Sequence, residues 1–305
     1  MRRLTWALAL AGLVPLAACG GGGPTPSRGP APAPPASVAA PSPTTTGPPP
    51  DAPAGPVISG FVAFGDFGGG EAQAAVATQM GRWGAAHRVD ALVTTGDNVY
   101  PTGEPQLYAS ELDAPYRELR ATRPFWATLG NHDVGAGHGA AELAHLGLPA
   151  LPYEKDLPGV QLLFLDANHP DAAQAAWLDG ALGRPGPPFR IVVFHQPAWS
   201  CGLHGSTPDA DRSWVPVLEA HRVALVLNGH DHDYERFTSP AGVTYVVTGG
   251  GGQTVYPLLP CSGTPPENAR AQKFHFTGVE VAAHTLTVTA VAADGAVIDR
   301  AVLTR

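Results

Sequence analysis

The sequence predicts an α/β domain whose closing strands run antiparallel, and three observations predict it. Between residues 57 and 248, short apolar runs of strand length alternate with longer stretches whose apolar residues recur at helical spacing. Five of the short runs end in a turn bearing Asp, Asn or His. From 274 to 303, apolar and polar residues alternate around a turn at Asp294-Gly295, the pattern of antiparallel strands with one face covered.

Taken in order, residues 57–64 form the first strand, ending in Gly65-Asp66-Phe67-Gly68. A helix follows over 71–87, because Ala72, Val76, Met80 and Trp83 share a face. Residues 91–95 are the second strand, ending in Gly96-Asp97-Asn98-Val99-Tyr100. Gly96 lets the chain turn sharply there without a clashing side chain, so that Asp97 and Tyr100 can face one point above the sheet. A helix near 106–120 leads to a third strand, 124–129, which ends in Gly130-Asn131-His132-Asp133. Residues 135–158, rich in Gly, Ala and Pro, read as loop. Then come a strand at 160–165 and a helix at 172–182 with Trp177, Leu178 and Leu182 inward. The strand at 189–194 ends at His195, and a short helix contains Trp214, Val217 and Leu218. A strand at 223–227 ends in Gly229-His230-Asp231-His232, and another at 244–248 precedes four glycines, where a close backbone approach is expected.

Ligands of open α/β sheets gather at the carboxyl ends of strands, and all five polar turns belong at that edge. One such turn is an ordinary helix cap or solvated loop. Five in succession point to a metal centre. Asp97 has two oxygens and can bridge two cations. Tyr100 can ligate only as phenolate, and a free phenol has a pKa near ~10, so its use implies a strongly Lewis-acidic ion. The other histidines, His275 among them, lie outside these turns and read as surface or satisfied core residues.

The chain has 305 residues and a net charge of −8, with no basic run, which argues against nucleic acid as a dedicated partner. Residues 1–19 read as an export signal: Arg2-Arg3, a short apolar stretch, then Leu16-Ala17-Ala18-Cys19. A cysteine closing that box has the form of a bacterial lipoprotein signal, so Cys19 is expected to carry lipid and to anchor an exported, extracytoplasmic protein; an ordinary secretory signal is the alternative. Residues 20–56 are low-complexity Gly, Pro, Ala, Ser and Thr, a disordered stalk by composition. Residues 57–305 are left for one catalytic domain, expected to be monomeric. In an exported protein Cys201 and Cys261 are expected to form a disulfide, the alternative being two free thiols.

Gly-Asp-Phe-Gly, Gly-Asp-Asn-Val-Tyr, Gly-Asn-His-Asp, Phe-His-Gln-Pro and Gly-His-Asp-His, in that order, resemble the calcineurin-like metallophosphoesterases. Tyr100 within the second motif makes the chain similar to the purple acid phosphatase branch, and His195-Gln196-Pro197-Ala198-Trp199-Ser200 with His204-Gly205 resembles its small, animal-type members. Many relatives outside that branch have a histidine where Gly68 stands, a place that Tyr100 is expected to fill. The resemblance implies a four-layer α/β/β/α metallophosphoesterase sandwich with mixed sheets.

It further implies two metal ions. Asp66, Asp97, Tyr100 and His232 would hold one, and Asp97, Asn131, His195 and His230 the other. The first set is rich in anionic oxygen and suits iron(III); the second, with imidazoles and an amide, suits divalent iron, zinc or manganese. His132 and His204 are left to act on the phosphoryl oxygens and the departing alkoxide, with Asp133 or another acid a candidate to orient His132, and a surface-loop imidazole the alternative for His204. A Cys201–Cys261 bridge would hold His204 in place, while residues 233–236 would support the metal shell, and Asp231 either does the same or is a solvated turn residue. The expected activity is dinuclear-metal-dependent phosphoric ester hydrolysis, most simply acid phosphatase action on phosphomonoesters. Phosphodiesterase or nucleotidase action on the same scaffold is the alternative. A solute-binding lipoprotein is the non-enzymatic one, but it gives no reason for paired histidines, Asn131 and Tyr100 at successive strand ends.

Overall fold

The structure, a computed structural model, describes residues 55–305. The signal segment, Cys19 and all but the last two residues of the stalk lie outside the described residues. Among the described residues no helix is long and apolar enough to cross a membrane.

Along the chain, β1 (Ser59–Phe64) leads to α1 (Gly70–Ala86) and β2 (Ala91–Thr94). There follow α2 (Arg117–Arg120), β3 (Phe125–Ala127), α3 (Asn131–Val134) and α4 (Gly139–His145). Next are β4 (Tyr153–Leu157), β5 (Val160–Phe164), α5 (Ala172–Leu182), β6 (Phe189–Val193) and α6 (Pro208–Ala220). The remainder is strand: β7 (Leu225–Asn228), β8 (Tyr234–Thr238), β9 (Thr244–Thr248), β10 (Glu267–Ala271), β11 (His275–Val281), β12 (Thr285–Ala292) and β13 (Val297–Thr304).

The strands form two mixed sheets, one ordered β13-β12-β11-β1-β2-β3 and the other β10-β8-β9-β7-β6-β5-β4. The first holds β1, β2 and β3 parallel; the second holds β5, β6, β7 and β9 parallel. Successive side chains on a strand point to opposite faces, which builds two cores from each strand. Phe61 and Ala63 of β1 join Ile191 and Val193 of β6 in the core between the sheets. Val62 and Phe64 turn outward to Val76, Met80 and Trp83 of α1. Val192 and Val226 pack under Leu178 of α5 and Trp214 of α6. The result is the α/β/β/α sandwich.

Two stretches differ from expectation. The helix near 106–120 is broken into a 3₁₀ turn (Pro105–Leu107), a π turn (Ala109–Asp113) and the short α2. Pro115 has no N–H to give and its ring crowds the preceding turn, so a continuous helix fails there. The broken segment presents Glu111, whose Oε2 accepts the Tyr100 N–H at 3.0 Å. The supposed loop 135–158 contains α4 and β4, both too short for their periodicity to stand out against Gly, Ala and Pro.

Candidate metal centre

The parallel strands of both sheets release their polar turns at one edge. There the backbone is bent where L side chains rarely go: Asp66, Asp97 and His230 have φ of 58°, 50° and 73°. Such residues cost of order 1–3 kcal/mol each and persist where the surroundings hold them. At Gly96, with φ 96°, a Cβ would come within 2.8 Å of His195 Nδ1 and 2.7 Å of the Gly130 amide, so only glycine lets the turns of β2, β3 and β6 converge. Gly249 and Gly251 approach just as closely: a Cβ on either would lie 2.2 Å from the carbonyl oxygen of Asp231 or of Gly65.

The expected residues meet around Asp97. Its Oδ2 lies 3.1 Å from His195 Nε2, 4.0 Å from His132 Nε2 and 3.2 Å from the Tyr100 hydroxyl, which donates to it. Asp66 Oδ1 lies 3.6 Å from His232 Nε2 and 4.0 Å from His195 Nε2. The Tyr100 hydroxyl is 3.3 Å from His232 Nε2. Ligand atoms of Asp97, His195 and His230 all fall within 4.8 Å of one another. Asn131 follows directly on Gly130, which packs against Asp97 so closely that a Cβ would sit 2.1 Å from Asp97 Oδ1. The His204 ring borders the group from outside, its centroid 4.3 Å from that of His230.

Main-chain carbonyls set the histidine tautomers. His195 Nδ1 faces the Thr95 carbonyl at 2.9 Å, His232 Nδ1 the Thr254 carbonyl at 2.9 Å, and His132 Nδ1 the Pro101 carbonyl at 2.6 Å. A carbonyl only accepts, so each Nδ1 carries a proton, and whenever the ring is neutral its lone pair lies on Nε2, turned inward. The separation of His195 Nε2 from Asp97 is short, yet that nitrogen makes no directed hydrogen bond; it is buried without a partner, and so is Asn131 Oδ1. Buried acceptors pointed at other acceptors are costly unless a cation lies among them.

The electrostatics agree. Burial pushes the Asp66 carboxyl up. Burial opposes ionisation of Asp97 as well, but His195 outweighs it and holds that carboxyl at about 2. His195 itself is raised to about 9 against burial, by Asp97 and Asp66. Burial lowers His230 to about 3 and His232 to about 4. Burial and the two carboxylates drive the Tyr100 phenol far above its ordinary range. Without a cation the cluster binds protons in its place. The donor set fits metal ions: two carboxylates, one phenol, one free amide oxygen and imidazoles presenting lone pairs.

Residues beneath the cluster brace it. Asp133 does not orient His132, contrary to expectation; the Pro101 carbonyl does. Asp133 accepts instead from the backbone N–H groups of Asn98, Val99 and Gly130 at 2.8, 3.0 and 2.7 Å, which ties the Asp97 turn to the Asn131 turn. The Asn98 amide donates to buried Glu142 at 2.9 Å. Asp231 accepts from the Ser200 hydroxyl at 2.6 Å and the His204 N–H at 2.7 Å, fixing the loop that carries His204. Cys201 and Cys261 are joined as a disulfide, with Cα atoms 4.8 Å apart. Tyr256, which has no sequence signal, stacks on the His232 ring at 4.1 Å.

Residues 60–234, more than half of the chain, match the calcineurin-like phosphoesterase family, and the chain belongs to it. Among its relatives, purple acid phosphatase 3 of Arabidopsis thaliana is 28% identical over 256 residues, covering 72% of this chain and 69% of that protein. The tartrate-resistant acid phosphatase type 5 of Rattus norvegicus is 26% identical over 288 residues, covering 77% and 87%. The solved structure of a purple acid phosphatase from yellow lupin (Lupinus luteus) seeds superposes with a TM-score of 0.70 at 18% identity, covering 81% of this chain and 54% of that one. Family and relatives support a metal-dependent phosphatase and imply a dinuclear metal centre.

Proposed function

We propose that this protein is an acid phosphatase that hydrolyses phosphomonoesters. In this reading Asp66, Asp97, Tyr100 and His232 hold one metal ion, and Asp97, Asn131, His195 and His230 hold the other. The observation that carries the reading is Asp97, approached on one oxygen by His195 at 3.1 Å and by Tyr100 at 3.2 Å, from opposite ligand sets. Iron(III) suits the phenol-bearing set and a divalent iron, zinc or manganese the imidazole and amide set; together such ions supply Lewis acidity toward a phosphoryl group and a water acidified to attack it.

The chain's own groups do the rest. The Pro101 carbonyl holds the His132 ring by Nδ1–H and so aims Nε2 beside Asp97, where in the imidazolium form it would donate to a phosphoryl oxygen. His204, exposed at the rim and anchored through its N–H to Asp231, is placed to protonate the departing alkoxide. The test is phosphate release from a panel of monoesters, diesters and nucleotides, from acid to neutral pH. Monoester hydrolysis strongest at acid pH supports the reading; turnover of diesters or nucleotides alone contradicts it.

We further propose that the protein is exported, anchored through lipid on Cys19 and acts as a monomer, residues 20–56 linking that cysteine to the domain 57–305. The cleavage pattern Leu16-Ala17-Ala18-Cys19 supports this. Cys19→Ser should move the protein from the membrane fraction to the soluble one; an unchanged distribution contradicts the anchor.

A further inference from the structure

The Cys201–Cys261 bridge joins two loops, and each brings one ring to the rim of the metal centre. The first carries His204; the second carries Tyr256, which lies nearly parallel to the His232 ring, 12° from coplanar at 4.1 Å. The two loop rings meet edge to face at 5.3 Å. Main-chain bonds lace the second loop down: the Tyr256 N–H donates to the His232 carbonyl at 3.0 Å, and the Leu259 N–H to the Cys201 carbonyl at 3.3 Å.

Each loop also exposes a leucine. Leu203 is 53% exposed and Leu259 37%, and among the described residues only Val297 joins them as a large exposed apolar side chain. A lone exposed leucine is ordinary. Here the two stand on loops joined by a disulfide, two residues from each of its cysteines, and the second loop also stacks Tyr256 on the His232 ring. Neither loop carries Lys, Arg, Asp or Glu from Gln196 to Ser206 or from Gly249 to Thr264; Arg270 reaches the Leu259 carbonyl at 2.6 Å, but its charge is already paired with Glu267 at 3.2 Å.

We propose that Tyr256, Leu203 and Leu259 form the leaving-group subsite, selecting phosphomonoesters of apolar alcohols over those of polar or charged ones. The inference rests on the phosphomonoester reading. The phosphoryl group would be taken at the metal centre and the histidines, which leaves the alcohol portion facing these two loops, whose own side chains from Gln196 to Ser206 and from Gly249 to Thr264 include no carboxylate, ammonium or guanidinium. Binding energy gained on such a non-reacting portion raises kcat/KM when it is realised in the transition state.

The test compares benzyl phosphate with glycerol 3-phosphate, whose alcohols are of similar acidity, so intrinsic reactivity nearly cancels. The wild type should favour the benzyl ester in kcat/KM by about tenfold or more, and the Leu203→Ser, Leu259→Ser double variant should lower that ratio by about tenfold. Competitive inhibition by benzylphosphonate against methylphosphonate should shift in the same direction, without turnover. A ratio unchanged in the double variant, with both esters hydrolysed, overturns the subsite. If the wild type hydrolyses neither ester, the phosphomonoester reading falls and the subsite with it.

Discussion

A Cβ on Gly68 would lie 2.3 Å from Tyr100 Cδ2, so the tyrosine ring stands where any side chain at 68 would go. The two positions are mutually exclusive, and the chain presents a phenol beside Asp97 in place of a residue from the first turn. Gly68 also has φ of 40°, unfavourable for an L side chain, so substitution is strained twice over.

Displacing or removing the phenol should therefore change the spectrum. If iron(III) occupies the Tyr100 set, the pure protein absorbs visible light by phenolate-to-iron charge transfer. Tyr100→Phe should abolish that band and Gly68→Ala should shift or weaken it. A band that survives intact in Tyr100→Phe contradicts the assignment of the phenol.

Asn131 Oδ1 is a buried acceptor without a partner, and leaving such a group unmet costs about 1–3 kcal/mol. Asn131→Ala should then leave the melting temperature of metal-free protein unchanged or slightly raised. Phosphatase activity should fall by more than about 100-fold, since changing groups that merely support a metal ligand costs about 10–100-fold. A large loss of apo stability, or activity near wild type, counts against the role given to Asn131.

Acid should destabilise the fold through His275, which lies away from the cluster. Complete burial lowers it to about 4, although the Lys273 carbonyl pulls the other way. In the unfolded chain it titrates near ~6.5, so between those values the unfolded state binds a proton that the folded state refuses. Stability is therefore full above ~6.5 and falls as pH drops toward about 4, by about 3 kcal/mol for this group. Denaturant midpoints of metal-free protein across this range should decline less steeply in His275→Asn, and parallel curves would refute the assignment.

Cys201 and Cys261 are bonded to each other, and the role expected of that bond is to position the two rim loops. Replacing both Cys201 and Cys261 by serine should lower turnover on the order of tenfold by loosening His204 and Tyr256, while bound metal stays constant. Unchanged kinetics would dispose of this role.

The five polar turns were readable because each combines a strand-length apolar run with residue types that turns seldom need, and the sheet edge to which they belong follows from topology. Tyr256 was not readable: its ring reaches His232 only because the Cys201 carbonyl and the His232 carbonyl hold its loop, and no periodicity encodes that. Glu142, and the bracing role of Asp133, were hidden for a related reason. A buried carboxylate and a solvated one look alike in sequence, and only the Asn98 side chain bonded between them marks them as a brace. The helix expected near 106–120 failed at Pro115, where local chemistry overrode the apolar spacing.

The central claim is that Asp97 serves both ligand sets, and metal content measures it most directly. Wild-type protein loaded with iron and zinc, then desalted, should retain two metal ions per chain, and Asp97→Asn should lose both while keeping its far-ultraviolet circular dichroism. If Asp97→Asn retains two ions, or loaded wild-type protein holds none, Asp97 does not link a pair of metals and the account is wrong.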